Sequence, residues 1–326
     1  MKLFITIFLS LAISRYSFSQ YDSAVQIHHL EIPQLKPNEY VISHLAYSLS
    51  YNELNEQANW VAYELTNEET NSIFKRNNKF IVDPQVKTES ANNNDYLASG
   101  FDRGHLAPAG DMEWSATAME ESFYYSNMSP QEPSFNRGVW KRAEELVRNW
   151  AIEYKSIYIV TGPVLSDNLP TIGPNKVSIP KYYYKVILDY HKGFVKGVGF
   201  VIPNTGSKEL LETFAISIDS VEKVTGINFF PLLPDLQEKI IERNFNIESW
   251  NWSHSKQLYE DGNESCNQII SDLNEHKVNV NNEHLKEKPV KHEVENVSSV
   301  QCSGTTTTGA RCKNRTKNSS GRCHLH

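Results

Sequence analysis

The sequence predicts an α+β domain with a mostly antiparallel central sheet flanked by helices, and three observations carry that expectation. Several short stretches alternate apolar and polar residues with the period of a half-buried strand; two of them are separated by a tight turn; and one longer stretch repeats its apolar residues at helical spacing. The first strand is "NWVAYELT" (59–66), which sets Val61, Tyr63 and Leu65 against Ala62 and Glu64. "SIYIVTGPV" (156–164), "KYYYKVILDY" (181–190) and "FVKGVGFVIP" (194–203) follow, the last two joined through His191, Lys192 and Gly193 as a hairpin, which requires antiparallel pairing. Between the first two strands, "SFNRGVWKRAEELVRNWAIEY" (134–154) places Val139, Ala143, Leu146, Val147 and Trp150 on one helical face, with Ser134 as the expected N-cap. "DLQEKIIERN" (235–244) reads as a weaker second helix.

The chain's 326 residues suffice for one sizeable core with an appendage. At the N-terminus, Lys2, an apolar run from Leu3 to Ile13 and the small residues Ser17 and Ser19 form the three-part layout of a signal peptide over residues 1–19. That run is shorter than the roughly 20 residues of a membrane span, so the expectation is a secreted or periplasmic protein without stable membrane insertion. The main domain is expected over residues 20–260, and no cysteine falls in the first 265 residues of the chain. A polar linker without a sustained apolar face covers 261–299, and a small tail runs from 300 to 326. A net charge of −7 excludes a protein that coats nucleic acid by bulk attraction, while leaving room for a small basic site.

The chemistry concentrates in "FDRGHLAPAGDM" (101–112), too polar for core and compact enough to read as a turn. His105 is suited to take a proton from water near neutral pH, whereas Arg103 stays charged and presents a fork matched to the paired oxygens of a phosphate. A fixed cation beside the imidazole is expected to lower its pKa and favour the neutral form that a general base requires. Gly104 is expected to leave room for an approaching polyanion backbone. The competing reading is a surface turn with an Asp102–Arg103 ion pair. Downstream, Asn127 and Asn136 stand in a polar loop entering the helix, and one amide oxygen suits a Mg²⁺ that keeps most of its waters.

"DRGH", then "SNMSPQ", then "FNRGVWKRAEE", in that order, resemble the DNA/RNA non-specific endonuclease family of ββα-metal nucleases, and the similarity runs from about His44 to Trp252. The resemblance implies the ββα-metal nuclease fold and a Mg²⁺- or Mn²⁺-dependent endonuclease hydrolysing phosphodiester bonds of DNA and RNA. It implies His105 as general base, Asn136 as the residue binding the single metal, Arg103 on phosphate, Asn127 orienting the site and Glu144 holding metal-bound water. Arg76 corresponds to a second arginine that stabilises transition-state charge. Eight residues separate Asn136 from Glu144, about 80° in azimuth and about 12 Å along an ideal helix; they cannot share one ion's inner shell unless the helix is distorted near its start. An exposed Glu144 paired with Lys141 or Arg148 is the competing reading. Arg137, Lys141 and Arg148 form a candidate positive strip, with Arg137 expected to bind substrate.

In the tail, Cys302, Cys312, Cys323 and His326 have ligand types compatible with a closed Zn²⁺ site, and disulfide pairing that includes Cys266 competes with it. The expected partners are DNA and RNA, with homodimer formation left open. The alternative for the whole chain is a catalytically inactive nucleic-acid-binding or surface-interaction protein with a zinc-binding tail.

Overall fold

The computed structural model describes residues 27–256 apart from 89, 192 and 193, together with 300–301 and 315–316. The signal peptide expected at 1–19, the linker at 261–299, and Cys302, Cys312, Cys323 and His326 lie outside the described residues. The chain divides into two compact units between Glu264 and Ser265. In the second, Val300–Gln301 pairs antiparallel with Arg315–Thr316.

The frame of the first unit is a seven-stranded sheet in the order β1-β2-β3-β6-β9-β10-β11. Its strands are β1 (Ile42–Ser43), β2 (Ser48–Asn52), β3 (Gln57–Thr66), β6 (Ser156–Pro163), β9 (Tyr182–His191), β10 (Phe194–Pro203) and β11 (Ala215–Ile216), every neighbour antiparallel. A separate hairpin of β4 (Asp102–His105) and β5 (Met128–Gln131) carries the DRGH sequence, a small pair joins β7 (Thr171–Ile172) to β8 (Val177–Ser178), and the short helices α1 (Asn93–Tyr96) and α2 (Ala116–Glu121) precede and follow β4.

Period two along the central strands feeds two cores. Val61, Tyr63 and Leu65 of β3 and Tyr183 and Ile187 of β9 face one side, where α3 (Lys141–Tyr154) covers them. Ala62, Tyr184, Val186 and Leu188 face the other, beneath α4 (Ile218–Thr225) and α5 (Asp235–Arg243). Val139, Ala143, Leu146, Val147 and Trp150 are all buried, so the apolar stripe read from the sequence is the face that packs. On the opposite side α4 approaches β10 closely enough that a Cβ at Gly199 would stand 2.3 Å from Val221 Cγ2, which excludes any larger residue there.

The helix expected from 134 to 154 is divided. Phe135–Trp140 forms a wide, π-type turn in which Gly138 leaves helical angles (φ −111°, ψ −108°), and regular α-helix begins at Lys141. Ser134 makes no side-chain cap. Its hydroxyl donates to Glu132, whose Oε2 also accepts the Phe135 N–H at 3.1 Å, so the acid two residues earlier takes the capping role assigned to Ser134.

Candidate active site

Residues 102–105 form a strand rather than a turn, and the alternation of that strand sorts its side chains. Gly104 pairs with Ser129 and His105 with Met128 on β5. Arg103 and His105 share one face and both reach Phe80: the Arg103 guanidinium carbon lies 5.0 Å from the ring centroid, and the two rings of Phe80 and His105 are 6.0 Å apart. Asp102 faces the start of the helical segment, where it accepts from Asn136 Nδ2 (2.9 Å), Arg137 Nε (2.8 Å) and Arg137 Nη2 (2.6 Å). In place of the Asp102–Arg103 ion pair of the competing reading, Asp102 makes one that ties β4 to the Asn136 turn. Gly104 serves packing, not an incoming polyanion: a Cβ there would fall 2.1 Å from Cδ of Gln131.

These elements enclose a cleft of about 700 Å³ lined by Arg76, Phe80, Arg103, His105, Asn136 and Glu144, with Arg137, Lys141 and Arg148 also on its wall. His105 is 7% exposed and packs edge-on against Phe123 at 4.9 Å; its buried Nε2 has no hydrogen-bond partner among the described residues. Burial, and then the charge of Arg76, push the imidazole down to about 3. The cause is thus desolvation first and Arg76 second, where the sequence had suggested the adjacent Arg103. The ring is neutral at any working pH, the state a proton acceptor requires.

Asn127 does not line the cleft. Fully buried, it accepts the Ala107 N–H at Oδ1 (2.9 Å) and donates from Nδ2 to the Ala107 and Ser122 carbonyls (2.9 and 2.8 Å), fixing the chain that follows His105. Asn136 gives its N–H to Asp102, and no donor among the described residues claims its Oδ1. Asn136 and Glu144 line the same cleft, and the break at Gly138 removes the ideal-helix spacing that would have separated them.

The five cations on the cleft wall are not equivalent. Arg137 is held by Asp102 in a bidentate pair, Lys141 lies 3.5 Å from Glu145, and Arg148 donates to Asp111 at 2.8 Å. The expected positive strip is therefore neutralised residue by residue, and Arg137 meets phosphate only by giving up Asp102. Arg103 and Arg76 have no carboxylate partner among the described residues. Arg103 is aimed by Tyr125 Oη (3.2 Å) and Asn93 Oδ1 (2.5 Å), and Arg76 by Asn78 Oδ1 (2.5 Å) with its guanidinium over Phe123. Both can offer a fork to an anion without breaking an ion pair.

Glu144 is neither exposed nor paired with Lys141 or Arg148. Burial raises its carboxyl above the ordinary range, opposed by the charge of Lys185. Lys185 itself was missed by sequence reasoning. It is 1% exposed in mid-β9, donates to Thr161 Oγ1 at 3.2 Å, and sits with Nζ 4.5 Å from the Trp140 ring; burial lowers its pKa. The available signal was a lysine at an inward position between Tyr183 and Ile187. Asp111, also missed, accepts from Arg148 and from Tyr63 Oη (2.8 Å), although it stood in the quoted DRGH stretch.

A seven-stranded antiparallel sheet with flanking helices, a separate DRGH hairpin and a kinked asparagine-bearing helix meeting at one cleft is the ββα-metal nuclease fold. The chain belongs to the DNA/RNA non-specific endonuclease family, which matches residues 31–236. It is 35% identical over 210 residues to the mitochondrial nuclease EXOG of Xenopus laevis, a match covering 58% of each chain. It is 34% identical over 215 residues to the mitochondrial endonuclease G of Homo sapiens, covering 61% of this chain and 70% of that one. Among solved structures, a chain of the EndoG/EndoGI complex matches with a TM-score of 0.59 and 32% identity, over 64% of this chain and 91% of the other. The chain spans under three fifths of the length of the Xenopus relative. The secreted or periplasmic location expected from the N-terminus is corrected by these relatives, whose names place them in mitochondria, an assignment that points away from export.

Proposed function

We propose that this chain is a metal-dependent, sugar-non-specific endonuclease that hydrolyses phosphodiester bonds of DNA and RNA. The observation that carries the reading is the convergence, in one cleft, of a neutral buried imidazole, an amide oxygen and two arginines, the oxygen without a donor and the arginines without a carboxylate partner among the described residues. A magnesium ion fits the donor set: the only group of three or more acidic, cysteine or histidine ligands among the described residues lies elsewhere, and a single amide oxygen suits an ion that keeps its waters. Asn136 would hold it and Glu144 would accept hydrogen bonds from its waters. When bound, the ion supplies neutralisation of phosphate charge and assistance to the departing 3′ oxygen.

The rest falls to the chain's own side chains. His105 takes the proton of the attacking water, its ring kept neutral by burial and held by Phe80 and Phe123. Arg103 and Arg76 grip the non-bridging oxygens and stabilise the added charge of the transition state. Asp102 orients the Asn136 amide, and Asn127 fixes the backbone beyond His105. Every one of these contacts is to phosphate or water, so neither base nor sugar is read and both nucleic acids are substrates.

Incubation of the full chain with Mg²⁺ and end-labelled duplex DNA, single-stranded DNA and RNA tests the proposal. Internal cleavage of all three, with products bearing 5′-phosphates, is the expected result. Tight binding of all three without cleavage would instead establish the inactive binding protein.

A further inference from the structure

We propose that the side of the sheet opposite the cleft carries a second cation site, for a divalent ion of the calcium class, formed by Asp219 and Glu222 of α4 and Glu242 of α5. One carboxylate oxygen from each lies within 4.8 Å of the other two. Asp219 and Glu222 are three residues apart and therefore share a helix face, and α5 brings Glu242 against it. Oxygens so spaced can surround an ion at the ligand distance of calcium, about 2.3–2.6 Å, with oxygen donors only.

A cluster of acids at a surface would call for nothing more than water. This one is different because of Glu242, which is 6% exposed and whose Oε1 is fully buried without a hydrogen-bond partner among the described residues. A carboxylate in that position costs several kcal/mol unless something compensates it. The neighbours answer with no positive charge: the one side-chain hydrogen bond of Glu242 among the described residues is to Glu222, itself an acid. Glu222 already spends Oε1 on the Phe229 N–H at 2.9 Å. Arg243 reaches only 4.0 Å from Asp219 Oδ2, with its side chain 77% exposed. Glu238 adds a fourth negative charge nearby, relieved in part by Lys239.

Bound there, the ion would clamp α5 to α4 over the closely packed Gly199 of β10. Glu242 stands outside residues 31–236, which carry the match to the nuclease family, and the site depends on none of the groups assigned to hydrolysis.

Calorimetric titration of Ca²⁺ into the full chain tests the assignment in an Asn136→Ala, Glu144→Gln background that disables the cleft. The expected result is one Ca²⁺ bound per chain in that background, a rise in thermal midpoint on binding, and loss of both when Glu242→Gln is added. Asp219→Asn, at a partly exposed position, should weaken binding at least tenfold, and it decides the matter if Glu242→Gln does not fold. Absence of Ca²⁺ binding in the cleft-disabled chain, or binding indifferent to either substitution, would overturn the site. Equal affinity for Mg²⁺ would overturn its calcium class. The single variant Glu242→Gln should keep full nuclease activity in Mg²⁺, so failure of the second site and failure of the nuclease reading are distinguishable.

Discussion

The two sides of the central sheet both bury charge, and they balance it differently. Beneath the cleft each acid meets a base: Arg148 is paired with Asp111, and Lys185 faces Glu144. Across the sheet, between α4 and α5, acids gather around Glu242 with only a distant, exposed arginine to answer them. The first arrangement is self-contained, so removing one member leaves an uncompensated charge. The second is incomplete without a proton or a cation, so removing one member relieves repulsion. Substitutions that look alike should therefore act in opposite directions on the two sides.

Among stability effects the largest belongs to the balanced side. Arg148→Met strands the Asp111 carboxylate, which is 1% exposed as a side chain, and is expected to cost about 3–5 kcal/mol in urea unfolding. Glu242→Gln in chelator should leave the unfolding free energy unchanged or raise it; a loss as large as that of Arg148→Met would erase the contrast.

Gly104→Ala is next in size. The added methyl would overlap the buried Gln131 side chain, and displacing it is expected to cost about 1–3 kcal/mol. Activity should fall with it, because β4 carries both Arg103 and His105.

A smaller effect, visible only against pH, sharpens the comparison further. The folded chain holds the proton of Glu144 above the pKa of the unfolded carboxyl, so that contribution is present at low pH and is lost as the pH rises through the folded pKa. Lys185 is depressed, so folding releases its proton and stability grows again as the pH climbs above its folded pKa. Unfolding free energies measured across this range should therefore dip near neutrality and recover at alkaline pH, and Lys185→Met should abolish the recovery. His105 acts on the acid side: its folded pKa is lowered to about 3, so its contribution is complete above the ordinary histidine range and is lost as the pH falls toward 3. His105→Gln should flatten that loss.

Most of the frame was legible because strand and helix periods are local. Val61, Tyr63 and Leu65 announce one face of β3, and the stripe from Val139 to Trp150 announces the packed face of its helix. The cleft's ingredients were legible for the same reason, since Arg103, His105 and Asn136 sit in short, distinctive runs. What escaped depends on contacts between distant segments. Nothing near Gly104 reveals that Gln131 fills the space beside it, or that Asp102 is spent on Asn136 and Arg137 rather than on Arg103. Lys185 sits among apolar neighbours, and only the sheet shows that it points toward Glu144 on another element. The break at Gly138 was hidden because glycine is tolerated in helices, and the helical pattern continued through it. The acidic group around Glu242 assembles from two helices whose apolar faces alone were read.

The central claim is that a buried, neutral His105 serves as proton acceptor in a metal-dependent hydrolysis. Supercoiled plasmid incubated with the full chain, with Mg²⁺ or with chelator, and with the His105→Ala variant, tests it most directly. The account expects rapid loss of the supercoiled form with Mg²⁺, none with chelator, and a rate lowered at least 10²–10⁴-fold in the variant. Cleavage that persists in chelator, or a variant as fast as the parent chain, would contradict it.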